Sequence, residues 1–200
     1  MVHGRDVAAF EERAPGYESG WRGRLHHDIA DKAVDLALAN SPRPQRVLDV
    51  GCGTGYLLRT LAARVPEAVE LAGIDAAPAM IETARTMAAD SRIRFARATA
   101  EQLPYPERTF DLVVSTTSFD HWADQRAGLA ECARVLVPGG HLVLIDLFSA
   151  WLLPTLLAGG RRGKARTKQR ASQLLADAGF PAPQWHDLYA VIIRAAVATK

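Results

Sequence analysis

Nine consecutive residues constrain this chain more than any others: Val47-Leu48-Asp49-Val50-Gly51-Cys52-Gly53-Thr54-Gly55. They begin as a short apolar run bounded by Pro44 and by glycine, the pattern of a strand buried on both faces of a parallel sheet. Glycines then occupy alternate positions, and Tyr56 to Arg64 follow with leucines at helical spacing. The unit is therefore strand, glycine turn, helix. Glycine lets the backbone take positive φ and lets a ligand approach where a Cβ would stand. The helix behind it aims free N–H groups and the positive end of its dipole at that ligand.

Two acids sharpen the reading. The spacing G-x-G-x-G differs from the G-x-G-x-x-G of dinucleotide folds. Asp49 sits just before the turn, at the carboxyl end of the strand, where it would repel a pyrophosphate and attract an ammonium group. Asp75 ends the next apolar run, Val69-Glu70-Leu71-Ala72-Gly73-Ile74. An acid at the tip of the second strand of an open α/β sheet can accept hydrogen bonds from both ribose hydroxyls. Together they ask for a nucleoside that carries an amino acid rather than phosphates, and S-adenosylmethionine meets that description. The same features argue against a nicotinamide oxidoreductase.

The motifs VLDVGCGTGYLL, GIDAAPAMIETAR, AEQLPYPERTFDLVVS and RVLVPGGHLVLID, in this order over about residues 45–148, resemble those of class I S-adenosylmethionine-dependent methyltransferases. The resemblance is to the small-molecule branch that includes ubiquinone- and menaquinone-biosynthesis enzymes. It implies a Rossmann-like, doubly wound α/β sheet of seven strands, mostly parallel with the last strand antiparallel, and helices on both faces. It also implies S-adenosylmethionine as cofactor, S-adenosylhomocysteine as product and a small-molecule acceptor methylated on O, N or C. The cofactor set expected on this basis is Asp49, Gly51, Cys52, Gly53, Gly55, Tyr56, Asp75, Ala76, Met80, Ala100, Glu101 and Ser115, with Tyr17 as the aromatic of an N-terminal lid. Where the family often carries an Asp for the adenine amino group this chain has Thr99, so Ala100 and Glu101 are expected to hold that edge instead.

The rest of the chain fits one domain over 1–200: a lid and helix over 1–44, a cofactor core over 45–148, and a substrate-side segment with the final strands over 149–200. A short helix is predicted at Val7–Arg13 and an amphipathic one over 24–40, stopped by Pro42 and Pro44. The pair His26-His27 has no third ligand nearby, which favours a structural role over a metal site. Further helices are predicted over Ala79–Ala89, with Pro78 at the start, over Asp124–Leu136, and over Ala171–Ala178, stopped by Gly179. Strands are predicted at 92–98 near a sheet edge, Phe110–Ser115, 141–147, 184–188 and 192–198.

Ligands of open α/β sheets sit outside the carboxyl ends of the strands where the strand order reverses. Residues 115–122 lie there and offer hydroxyls, an acid, an imidazole and two aromatics. His121 is the first candidate base and Asp120 the second, although Asp120 could instead cap the following helix. Trp151–Leu157 is apolar, and 161–170 carries six basic residues and no acid. That run reads as a solvated face, or as an attraction to an acidic substrate, a membrane surface or nucleic acid.

Composition removes some classes. A net charge of +2 does not demand a nucleic-acid partner. No Asn/Asp-Pro-Pro-aromatic motif follows the fourth strand, which argues against a nucleic-acid methyltransferase. Cys52 and Cys132 are far apart, without metal-ligand spacing. No apolar run reaches the roughly 18–20 residues of a membrane span, and the N-terminus lacks the apolar core of a signal peptide. A cytoplasmic monomer or homodimer is expected, with at most transient membrane-surface contact. A cofactor-binding protein without catalysis is the remaining alternative.

Overall fold

The computed structural model describes residues 2–148, 167–189 and 192–200. The apolar segment Trp151–Leu157 and the basic residues 161–166 lie outside the described residues.

The strand–turn–helix unit forms as the sequence predicts. β1 (Arg46–Val50) is buried from Val47 onward, and α3 (Tyr56–Arg64) follows the glycine turn, after α1 (Val2–Arg13) and α2 (Gly20–Asn40). β2 (Glu70–Asp75), α4 (Pro78–Met87), β3 (Ile93–Arg97) and β4 (Phe110–Thr116) come next. They are followed by α5 (Gln125–Val135), β5 (Leu136–Leu147), α6 (Lys168–Asp177), β6 (Gln184–Tyr189) and β7 (Ile193–Thr199). The seven strands make one sheet in the order β3-β2-β1-β4-β5-β7-β6. β1 to β5 run parallel, and β7 runs antiparallel to both of its neighbours. β3 lies at an edge, as its alternating pattern predicts.

The sheet carries a core on each face. One includes Ile29, Val34, Leu58 and Leu61 from α2 and α3, and the other includes Leu129, Cys132, Leu174 and Leu175 from α5 and α6. Strand side chains alternate between them: Val47 packs with the first and Leu48 with the second. Burying strands on both faces is what makes them read as unbroken apolar runs.

Several element boundaries differ from expectation. α1 begins before Val7 and ends in a 3-10 turn at Ala14–Gly16, and α2 begins at Gly20. The cap of α5 is Asp124, whose carboxylate accepts from the N–H groups of Arg126 and Ala127, so Asp120 has no capping role there. β5 begins at Leu136 rather than 141. Its register shifts between the pairs Phe110–Leu136 and Leu112–His141, so Val137 to Gly140 form an irregularity within the strand. β6 and β7 keep their predicted places within a residue or two.

Candidate functional site

The order reverses between β1 and β4, which are neighbours although β2 and β3 intervene in sequence. The carboxyl ends of these strands open there into two chambers. The first is lined by the tips of β1 and β2 at Val50, Gly51, Ile74 and Asp75, by Met80 on α4, and by Ala98 to Glu101. Val7 and Phe10 cover it from α1, and His121 and Trp122 close its far side. The second chamber lies on the α2 side, with Asp49, Cys52, Thr54, Tyr56, Glu18, His26 and His27 in its walls. The two share Tyr17, Gly51, Gly53, Thr116 and Thr117, which form a neck between them.

The glycines of the turn do different work. Gly51 has φ +80, and a Cβ there would collide with Ser118 Oγ, so its smallness serves packing. Gly53, at φ +52, would carry its Cβ toward the neck, 3.8 Å from Tyr17 Cε1. That is the place where a ligand could approach backbone. Gly55 starts α3, and a Cβ on it would meet the Phe95 ring. It lines neither chamber.

Both oxygens of Asp75 accept a backbone hydrogen bond. Its Oδ2 accepts from the Gly53 N–H at 3.0 Å and its Oδ1 from the Ala77 N–H at 2.8 Å, so it braces the glycine turn against the start of α4. Burial raises its pKa, opposed by the N–H groups of Ala77, Gly53 and Ala76 and by the charge of His121. Asp49 is buried to the same degree as the core, 1% exposed, and its Oδ1 has no hydrogen-bond donor among the described residues. Burial, and then the charge of Asp75, push it up to about 8. An unsatisfied carboxylate oxygen facing a chamber is a site that an ammonium group would complete. The residues present therefore fit the amino-acid end of S-adenosylmethionine at Asp49 and the ribose at Asp75. Bound there, that group would supply an activated methyl on a sulfonium.

Around the neck, aromatic rings form a chain. Phe10 stands edge-on to His121 with centroids 5.0 Å apart and to Tyr17 at 6.4 Å, and Tyr17 stacks on His26 at 5.1 Å. His27 stacks on Tyr56 at 3.8 Å. Both imidazoles of the pair His26-His27 line the second chamber. Among the described residues no cluster of three or more metal-ligating side chains occurs.

Most expected site residues come together: Asp49, Gly51, Cys52, Gly53, Tyr56, Asp75, Ala76, Met80, Ala100, Glu101 and Tyr17 line one chamber or both. Three others do not. Ser115 is fully buried, with its Oγ 2.9 Å from Ser118 Oγ, so it belongs to the seam between β1 and β4. Gly55 serves the start of α3. Asp120 is buried, lines neither chamber, and gives its backbone N–H to Asp146 Oδ2 at 3.0 Å. That bond holds the 3-10 turn Phe119–His121 and leaves His121 as the candidate acid–base group in the cleft. The Glu101 carboxylate accepts from the Asp124 N–H at 3.0 Å, and burial with the nearby charges of Asp49 and Asp75 raises the Cys52 thiol, leaving it unreactive.

Sequence reasoning did not name Phe10, Thr54 or Ile74 as site residues, and it placed Thr116 and Thr117 in the loop at the strand tips without singling them out. Ile74 precedes Asp75 and Thr116 ends a strand, so the rule that ligands gather at strand tips could have named both. Phe10 and Thr54 carried no such signal.

The sequence matches the family described as "Methyltransferase domain" over residues 47–140. It is 44% identical over 133 residues to a demethylmenaquinone methyltransferase of Deinococcus radiodurans, a match that covers 66% of this chain and 51% of the relative. The chain thus spans about half of that relative's length. It is 30% identical over 171 residues to the uncharacterized methyltransferase Mb0092 of Mycobacterium bovis, covering 82% of this chain and 81% of the relative. Among solved structures, a chain of the complex between the Haloferax volcanii Trm112 methyltransferase activator and a methyltransferase shares the fold. Its TM-score is 0.80 at 21% identity, with 96% of each chain covered.

Proposed function

This chain belongs to the class I S-adenosylmethionine-dependent methyltransferases, and we propose that it transfers the methyl group to a small, largely apolar acceptor, with quinol-type rings the first class to test. The observation that carries the donor reading is the pair of acids at the strand tips. Asp75 stands at the chamber that Met80 and Ala98 to Glu101 make suitable for adenosine, and the unsatisfied Asp49 stands at the chamber beyond the neck. A sulfonium between them would sit at the neck, beside Gly53, Tyr17 and Thr117.

The acceptor reading is supported by Val7, Phe10 and Tyr17, which cover the cleft with apolar and aromatic surface, and by the names of the quinone-pathway relatives. The protein's own part is to orient the acceptor against the methyl and to exclude water, which can account for several kcal/mol of barrier lowering. His121 is the group placed to take a proton where the acceptor must lose one. The cap over 1–44, the core and the last strands act in this reading as one unit.

Calorimetric titration with S-adenosylmethionine, S-adenosylhomocysteine and NADH tests the donor. Micromolar binding of the first two and none of the third is expected. Accumulation of S-adenosylhomocysteine with a panel of quinols, phenols and amines then tests the acceptor. Binding of neither sulfonium nor product would sink the whole reading, whereas turnover on amines alone would overturn the quinol class.

A further inference from the structure

The connection after α1 reaches the glycine turn through Glu18. Its Oε1 accepts from Thr54 Oγ1 at 2.6 Å and from Arg59 Nη2 at 2.7 Å, and its Oε2 lies 3.3 Å from His27 Nε2. Arg59 closes the loop by donating from Nη1 to the Thr54 carbonyl at 2.6 Å. One carboxylate thus joins the cap, the glycine turn, α3 and α2. The backbone of Glu18 is also fitted to α2, because a Cβ at Gly23 would collide with the Glu18 carbonyl.

An ordinary surface ion pair contributes little, but this one is not ordinary. The Glu18 side chain is only 20% exposed, and its partners come from 36 and 41 residues away. Burial by itself would raise its pKa. The bonds from Thr54 and Arg59, with the charges of Arg59 and His27, instead hold it below the usual carboxylate range. The backbone hydrogen bonds made by Tyr17 and Ser19 stay within the cap itself, so they do not tie it to the turn. Tyr17, the residue before Glu18, is the cap residue that lines both chambers.

We propose that Glu18 is a positioning residue: it fastens the N-terminal cap to the cofactor turn through Thr54 and Arg59, and so holds Tyr17 over the neck before any ligand arrives. The inference rests on the cofactor reading of the two chambers. The Glu18 carboxylate is already bonded by Thr54 and Arg59 and faced by His27, so it acts on the donor through the place it gives Tyr17. Thr54 stands inside the turn that the donor is proposed to touch, so the fastening and the binding surface share residues. A preformed cap is expected chiefly to slow ligand escape, since most affinity differences between related complexes lie in dissociation.

The test uses Glu18→Ala, Glu18→Gln, Arg59→Ala and the Glu18→Ala/Arg59→Ala double variant. Hydrogen exchange over residues 7–18, the S-adenosylhomocysteine dissociation rate and the melting temperature are measured for each. Glu18→Ala is expected to speed exchange in the cap and to raise the dissociation rate about tenfold, the scale of one lost charge-assisted hydrogen bond. Glu18→Gln keeps an acceptor for Thr54 and should fall between Glu18→Ala and the parent. The double variant should be no worse than the poorer single one, because both remove the same link. Additive losses, or a lower melting temperature with cap exchange unchanged, would assign Glu18 to stability alone and overturn the proposal. If the parent protein does not bind S-adenosylhomocysteine, the cofactor reading fails, while exchange in the cap still decides whether the fastening exists.

Discussion

The carboxyl ends of β1 and β2 carry the same residue type, Asp49 one residue before the end of its strand and Asp75 at the end of its own, yet the two acids are in different conditions. At the β2 tip, Asp75 is satisfied by two backbone N–H groups and holds the turn in shape. At the β1 tip, Asp49 is buried with an oxygen that nothing satisfies. At the β2 tip both oxygens already have a donor before a ligand arrives, and the acid shapes the turn that the ligand meets. The β1 tip is finished only by a cation, so its acid lowers the stability of the ligand-free protein and returns that cost as affinity. A preorganised acceptor and a strained one serve two ends of one molecule.

Replacing the acids should separate the two conditions. Asp49→Asn is expected to weaken S-adenosylhomocysteine binding by about tenfold to a hundredfold, the scale of a lost charge-assisted bond. It should also raise the melting temperature of the ligand-free protein at neutral pH, because the folded state no longer has to hold a proton on a buried acid that the unfolded chain releases. Calorimetry and thermal unfolding read the two effects, and a variant that binds normally or melts lower would erase the contrast.

The pH dependence sharpens the same point. Asp49 titrates at about 8 in the folded protein, while the unfolded chain releases that proton near the ordinary value of about 4. The folded state therefore holds more protons across this window, and the Asp49 contribution to stability falls as pH rises from about 4 toward 8. Binding runs the other way, because an ammonium needs the ionised acid. Affinity for S-adenosylhomocysteine should rise about tenfold between roughly pH 6.5 and 8 and then level. Calorimetry in buffers of different ionisation enthalpy should show proton release at pH 7. A flat profile would place the ammonium elsewhere.

Asp75→Asn should have the smallest effect on binding, about fivefold, and the opposite sign on stability. An amide keeps one acceptor and turns an N–H toward the other donor, which costs on the order of 1–2 kcal/mol. If Asp75→Asn and Asp49→Asn move the melting temperature in the same direction, the two tips are not the contrasting pair described above.

How much of this was legible follows from the range of the interactions. The β1–turn–α3 unit, Asp49 and Asp75 were readable because strand, turn and helix patterns are local. The antiparallel β7 was expected only because the family resemblance implies it. The difference in condition between the two acids was not readable, since it depends on which backbone N–H groups fold back onto Asp75. The Glu18–Thr54–Arg59 link was equally silent, because its members lie dozens of residues apart and each alone looks like a surface group. The sequence pointed to Ser115 for the same reason that it did not single out Thr117 among the hydroxyls of 115–122. It places hydroxyls at a strand tip but does not say which of them turns inward, and Thr117, at φ +52, breaks the alternation there.

Ser118 fills the space that Gly51 leaves free. Its hydroxyl donates to the Val50 carbonyl at 2.9 Å and receives the Trp122 indole N–H at 3.2 Å. The donor half of the cleft and the loop facing the acceptor are thus stitched together at Ser118. Phe119 and Trp122 are buried in the same core as Val50, and Trp122 makes half of the stitch, so a change in either is felt at the glycine turn. A lineage, or a designer, that seeks a new acceptor here must keep Ser118 and its two partners, because the donor half and the acceptor loop are inherited together.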